Sequence, residues 1–371
     1  MNKPLVSVFI PYYNDKEFLR DSIESVLNQT YKNFELILLN HASTDGSRDL
    51  AHSYNDARIL HIDMDKNLGA GSTVLMEEYL KIANGKYAKL FCADDIMLPN
   101  CIEILVNYLE TQPNLDIVYA DMEYVNKKKK SLKTTWSKER PKFNFEYNEI
   151  ETLKNLFAGY GFIPYPSSIV KMDLLKSIKK DPTFIMLVDM DIWARAIING
   201  AKIKFVRDIV ALYRIHEQQT ASSANKIRVQ TRSYFESLKY IEAFYTIKNL
   251  DMLKVLCTDV PFINDLKPED EQFFPFVIAY NNLKKYNGVN PYKTSAYFLV
   301  HKLLSDERTS KELQDRFGFG IKEFRELYSQ TPKKADIPIK ELGICKLLFL
   351  LLRKIWKRIT LQDLYKKRYT E

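Results

Sequence analysis

Glycine is scarce in this chain, with eleven in 371 residues, too few for a collagen-like or glycine-linker architecture. Cysteine is scarcer still: Cys92, Cys101, Cys257 and Cys345 contain no CxxC pair and no ligand spacing. That excludes a cysteine-rich zinc module or a disulfide-stapled scaffold and fits reduced thiols in a cytoplasmic protein. Long apolar runs are missing too. The longest, Leu347 to Leu352, is six residues, against the roughly 20 that a bilayer-spanning helix needs. The opening MNKPLVSVFIPYYN has a short, proline-interrupted apolar stretch that runs straight into a strand pattern, so it reads as a strand and not as a secretory leader.

What is present suits a folded enzyme-sized chain. Hydrophobic residues make up 46% and charged residues 27%, the ordinary globular range, and the length allows one large domain plus a smaller unit. The 23 tyrosines and 21 phenylalanines can stack on sugars or bases, although most such rings fill cores. Net charge is +8 and uneven: from Ala335 to Glu371 nine Lys or Arg stand against four acids. That asymmetry points to an anionic partner at the C-terminal end, a membrane surface or a nucleic acid.

Residues 5–120 alternate short apolar runs with helical periodicity. Strands are expected at Leu5–Ile10, Phe34–Leu39, Ala57–Ile62, Tyr87–Phe91 and Asp116–Ala120. Helices are expected at Asp15–Gln29, from about Asp45–Ser47, at Ser72–Ala83 with Asn84-Gly85 as the stop, and at Pro99–Thr111. This alternation predicts an α/β fold, a doubly wound, mostly parallel sheet flanked by helices. Residues 126–147 are basic, aromatic and irregular, either a loop over a site or a solvated excursion. Beyond Asn225 the pattern is almost all helix. The expected organisation is a catalytic α/β unit at 1–222, a helical C-terminal region at 223–334 and a basic amphipathic tail at 335–371.

Ligands of doubly wound sheets bind outside the carboxyl ends of the strands, so the loops there should carry the chemistry. The first holds Pro11, Tyr13 and Asn14, and the second is Asn40-His41-Ala42-Ser43-Thr44-Asp45-Gly46. Asn67-Leu68-Gly69 opens the third helix. The fourth strand ends in Ala93-Asp94-Asp95, two adjacent acids that either cap a turn or meet a cation. Their oxygens suit Mg2+ or Mn2+ carrying a diphosphate. Asp189 opens the helical VDMDIWARA segment, where an acid is either a cap or something more. Arg214 and His216 follow an apolar strand.

In order and spacing, PYYN, ESVLNQTYKNFELILL, STDGS, NLG, CADD, VDMDIWAR and YRIHEQQTAS resemble the inverting family-2 glycosyltransferases of the GT-A fold, over roughly residues 4 to 222. The resemblance implies a nucleotide-sugar site built from Pro11, Tyr13, Asn14, His41, Asn67 and Asp94, with Tyr13 stacking on the base and Asp94 on the ribose side. It implies a divalent metal, Mn2+ or Mg2+, on Asp95 with His216 as a further ligand, and Asp189 as catalytic base. Tyr165, in the acceptor-side segment Pro164 to Ser168, and Trp193 are acceptor candidates, with Tyr160 and Trp136 beside them as stacking rings. The implied reaction moves one sugar, from a UDP-hexose or UDP-N-acetylhexosamine, to a hydroxyl of a glycan. Four positions depart from the family pattern: Asn40 and His41 replace an acidic pair, Cys92 the first acid of the DxD-type motif, and Val188 the acid before Asp189. They leave the nucleobase open.

The tail segment Leu342–Ile359 gathers Lys346, Arg353, Lys354, Lys357 and Arg358 in one sector at helical spacing. It reads either as an in-plane helix on an anionic bilayer or as a helix packed on the body. The first suits a lipid-linked acceptor and a protein peripheral on the inner face of the cell membrane. No nucleic-acid module accompanies the charge, so nucleic acid is not expected. Neither spanning helices nor a Gln-x-x-Arg-Trp segment suggests a processive synthase, and PYYN is not the glycine-rich basic loop of a nucleotidyltransferase. The alternative of another class is a catalytically inactive glycan- or nucleotide-binding scaffold of the same fold.

Overall fold

The computed structural model describes residues 3–69, 73–140, 149–161, 163–216, 226–286 and 290–329. It opens with β1 (Val6–Tyr12), α1 (Lys16–Leu27), β2 (Phe34–Asn40), α2 (Ser47–His52), β3 (Ile59–Asp63), α3 (Thr73–Ile82) and β4 (Tyr87–Leu90). Next come β5 (Ile96–Met97), α4 (Cys101–Thr111), β6 (Ile117–Asn126), β7 (Ser131–Thr135), α5 (Glu149–Phe157), β8 (Ser168–Lys171), α6 (Met172–Ser177), α7 (Val188–Ile198) and β9 (Ile203–Ile215). The remainder is helical: α8 (Lys226–Tyr240), α9 (Leu250–Leu256), α10 (Phe274–Lys285), α11 (Pro291–Leu304), α12 (Glu307–Phe317) and α13 (Ile321–Ser329).

The strands form one sheet in the order β3-β2-β1-β4-β8-β6-β9-β5, with β7 paired to β6. β1, β2, β3 and β4 run parallel, as β6 and β9 do, whereas β8 runs antiparallel to both β4 and β6, and β5 to β9. Val6, Val8, Ile10, Leu36, Ile37, Leu38 and Leu39 are fully buried, as central strands covered on both faces require. α1 turns Phe18, Leu19, Ile23 and Val26 inward, the amphipathic stripe its sequence promised. The expected mostly parallel α/β sheet with a helical C-terminal region is what the chain forms.

Two expectations change. Residues 126–140 are not an irregular excursion: Ser131–Thr135 pairs with β6 as a hairpin. Trp136 is buried, edge-on to Tyr119 and tilted against Phe205, so it is no sugar platform. Residues 141–147, the tail at 335–371 and the QQTAS part of the last motif lie outside the described residues. Among the described residues no helix is long and apolar enough to cross a membrane. The apolar core runs unbroken from the sheet into the helical region, from Val6 to Phe324. There the Tyr240 hydroxyl donates to the Leu156 carbonyl at 2.8 Å, and the Phe157 and Phe244 ring centroids are 5.0 Å apart.

Candidate active site

The loops at the carboxyl ends of β1 and β2 are laced together. Asn14 adopts a left-handed φ of 56°; its backbone N–H donates to Ser43 Oγ at 3.1 Å, and its Oδ1 accepts from the Thr44 N–H at 2.7 Å. Tyr13, next to it, keeps 44% of its surface exposed, a flat ring presented to solvent. His41 lies 6.3 Å away, edge-on to that ring. Its Nε2 accepts from the Leu68 N–H at 2.6 Å. A backbone N–H can only donate, so Nε2 must be the lone-pair nitrogen and the ring proton sits on Nδ1. Burial lowers the pKa of His41 and favours this neutral form. Asn67 is exposed and turns its side chain back onto the Gly69 N–H. These positions, with half-buried Pro11, share one end of the sheet.

The segment after β4 brings two acids to the same end, with different surroundings. Asp95 is fully buried; its Oδ1 accepts from the Arg214 backbone N–H at 2.9 Å, while Oδ2 has no partner. Asp94 reaches further out and meets His216 Nε2 through Oδ2 at 3.0 Å. His216 tilts against Phe18 at 4.4 Å, and its buried Nδ1 also has no partner. Arg214 braces the corner: Nε donates to the Asp94 carbonyl at 2.7 Å and Nη1 to the Lys127 carbonyl at 2.9 Å. Its Nη2 reaches Asp21 Oδ2 at 2.8 Å. Ligand atoms of Cys92, Asp94 and Asp95 all lie within 4.8 Å of one another. An unpartnered buried carboxylate oxygen is costly unless a donor or cation meets it, so the two carboxylates, with the His216 imidazole on Asp94, fit a divalent cation.

Asp189 is the second residue of α7, half-buried, with Oδ1 accepting the Met190 N–H at 2.8 Å. Burial pushes its carboxyl up to about 6. It shares surroundings with the acid pair. The Cys92 thiol is pushed up by burial and then by the charges of Asp95, Asp94 and Asp189. The Tyr165 hydroxyl is pushed up by burial and then by Asp189 and Cys92. The charges of all three carboxylates therefore act on Cys92.

Two candidates are placed differently from expectation. Trp193 is 1% exposed with its Nε1–H on the Ile163 carbonyl at 2.8 Å. It is a core residue and offers no face to an acceptor sugar. Tyr165 packs edge-on against it at 5.6 Å, half-buried, and Tyr160 is 54% exposed. Three residues escaped sequence reasoning. Asp15 lies near the acids and is pushed up to about 6 by burial, with Asp94 and Asp45 adding to it. Lys89, fully buried in β4, donates to the carbonyls of Pro166 at 2.6 Å and Tyr165 at 3.2 Å; a lysine inside an apolar strand was the visible signal. Glu236 on α8 had none.

The family model for glycosyl transferase family 2 matches residues 7–178. An uncharacterized glycosyltransferase of Methanocaldococcus jannaschii is 31% identical over 243 residues, covering 64% of this chain and 80% of that protein. One from Rickettsia prowazekii is 32% identical over 223 residues, covering 60% and 67%. Among solved structures, S. aureus TarS 1-349 in complex with UDP-GlcNAc superposes with a TM-score of 0.56 at 16% identity, over 87% of this chain and 90% of that one. The mannosyltransferase PcManGT from Pyrobaculum calidifontis, in complex with GDP-Man and Mn2+, gives 0.50 at 15%, over 88% and 86%. The fold is that of a GT-A glycosyltransferase. The chain belongs to glycosyltransferase family 2 and is a glycosyltransferase.

Proposed function

We propose that the chain is a metal-dependent, inverting hexosyltransferase that moves a single sugar from a nucleotide sugar to a hydroxyl of a lipid-linked glycan. The observation that carries this reading is the cluster of Cys92, Asp94 and Asp95, whose ligand atoms lie within 4.8 Å of one another with one buried carboxylate oxygen unpartnered, and on whose thiol the charge of Asp189 also acts. An acid able to take a proton thus accompanies a cluster suited to a cation, and an in-line displacement needs both.

In this reading Tyr13 stacks on the base and Asn14 holds the two nucleotide-facing loops together. Asp94 and His216 would hold the cation, with Asp95 beneath them. This reverses the roles first expected of the two acids, because Asp94 is the one that reaches out while Asp95 is sealed against Arg214. A bound Mn2+ or Mg2+ would offset the charge that develops on the departing diphosphate. Asp189 accepts the proton of the acceptor hydroxyl as that oxygen attacks C1 from the face opposite the nucleotide, inverting the anomeric centre. Its carboxyl near 6 is ionised at neutral pH yet basic enough for that task. The Nδ1–H of His41 offers the base edge a donor where an acid would offer an acceptor, which favours a base carbonyl or ring nitrogen over a ring N–H at that point. TarS, solved with UDP-GlcNAc, supports a UDP donor; PcManGT, solved with GDP-Man and Mn2+, supports the metal.

The test pairs Mn2+ with a panel of nucleotide sugars and the Asp189→Asn variant. Transfer should vanish in the variant while nucleotide binding persists, and the product of the wild type should carry the inverted anomeric configuration. Wild-type turnover by Asp189→Asn removes Asp189 from the mechanism. Neither hydrolysis nor transfer of any donor by the wild type favours the inactive scaffold.

A further inference from the structure

The turn that delivers Asp189 is held from outside its own neighbourhood. A helix start leaves backbone N–H groups without partners, and a side chain at the N-cap normally takes one. At α7 the N-cap is Leu187, which makes no such bond. Instead Oε2 of Glu236 accepts both the Met186 N–H at 2.8 Å and the Leu187 N–H at 2.9 Å. Glu236 lies on α8, 49 and 50 residues further along the chain, and is 7% exposed. Both bonds end on the two residues immediately before Val188 and Asp189.

α8 is itself fixed to the catalytic half. Tyr240, one turn beyond Glu236, is fully buried with its hydroxyl on the Leu156 carbonyl, and Lys239 lies 3.9 Å from Asp181. One oxygen that collects two amides is a strong anchor, since it fixes both N–H groups at once and is sheltered from water. Without it, two amides at the head of α7 would sit partly buried and unpaired.

We propose that Glu236 is a positioning residue for Asp189: by clamping the Met186–Leu187 turn it aims the first turn of α7 at the cleft, and so makes the helical region part of the reaction apparatus. The proposal rests on Asp189 being the proton acceptor. The clamp acts through acceptor geometry, so the neutral isostere should serve. Displacing a reacting group by about 1 Å can cost up to 100-fold in rate, with nucleotide affinity untouched because, among the described residues, the hydrogen bonds of Glu236 go to the Met186–Leu187 turn and not to the nucleotide-side residues.

Wild type, Glu236→Gln, Glu236→Asp and Glu236→Ala are compared on the full chain with Mn2+. Turnover is followed as UDP release from a mixture of UDP-glucose, UDP-galactose and UDP-N-acetylglucosamine, and UDP affinity by calorimetry. Expected is a kcat loss of about 30- to 100-fold in the Ala variant. The Asp variant, a methylene too short, should fall between, and Gln should stay within about threefold of wild type. UDP affinity should be unchanged throughout, and amide exchange at Met186 and Leu187 should quicken in the order Gln, Asp, Ala. If the Ala variant does not fold, the Gln–Asp pair decides alone: a kcat drop in Asp with UDP binding intact supports the clamp. Wild-type turnover in both Asp and Ala overturns it, and so does a parallel loss of UDP affinity and turnover in Gln. Asp189→Asn is run beside them. If that variant turns over normally the base assignment fails, whatever the Glu236 series gives; if it is inactive while Glu236→Ala is not, the clamp alone fails.

Discussion

At Asp189 burial raises the carboxyl from the ordinary 3.8 to about 6, so the folded chain holds that proton more tightly than the unfolded one. Ionisation therefore works against folding, progressively from pH 4 upward and fully above the folded value of about 6. Asp189→Asn keeps an oxygen for the Met190 N–H but carries no charge. The variant should melt at a higher temperature than wild type at pH 8 and at the same temperature near pH 4; an equal difference at both would refute the raised carboxyl. The same group should give wild-type kcat/KM an acid limb that falls as pH drops through about 6. Much of this residue-level chemistry was legible, because a strand end followed by paired acids and an acid opening a helix are local patterns. Which of Asp94 and Asp95 faces outward was not, since neighbouring residues in a turn point apart and only packing selects one. Trp193 was misplaced for a related reason. α7 buries Val188, Met190, Asp191, Ile192, Trp193, Ala194, Ala196 and Ile197, nearly its whole circumference, so no stripe marked an exposed side.

Among the elements, the first four strands and the helices between them followed from apolar runs and 3.6-residue periodicity. The hairpin strand β7 was hidden in KKKKSLKTT, where lysines on a solvated edge mask the pairing. The antiparallel placement of β8 was hidden too, because local sequence does not name a strand's partner. Asn84-Gly85 was read as a helix stop, yet the glycine has a further task. A Cβ there would lie 2.5 Å from the Ser7 backbone nitrogen in β1, and the Gly85 N–H already donates to Ser7 Oγ at 2.8 Å. Gly85→Ala should destabilise the chain by about 1–3 kcal/mol, the usual cost of overpacking against a backbone that cannot retreat. Denaturant melts measure it; an unchanged midpoint would mean that β1 and β4 can part at that end.

For the molecule as a whole, the apolar core spans both the sheet and the helical region, while the basic segment from Ala335 onward is carried beyond α13. We propose that this segment holds the enzyme on an anionic bilayer beside a lipid-linked acceptor. Deleting residues 340–371 should reduce co-sedimentation with phosphatidylglycerol vesicles and leave turnover of a soluble acceptor unchanged. Undiminished sedimentation would assign the tail to packing on the body instead. Helical content beyond residue 225 was legible from periodicity, but contacts that cross 50 residues of chain, such as Glu236 to Met186, leave no trace in any window short enough to read.

Arg214 ties the Asp94 carbonyl, the Lys127 carbonyl and the Asp21 carboxylate to one planar head, and three distant stretches of chain thereby share a single fastening. Lysine in its place would bring one nitrogen instead of a fork, leaving most of those positions unheld despite the kept charge. Two of the three acceptors are backbone carbonyls, so the fastening survives any side chain at 94 or 127 and hangs on residues 21 and 214, and warming should loosen this corner of the site as a unit, not strand by strand.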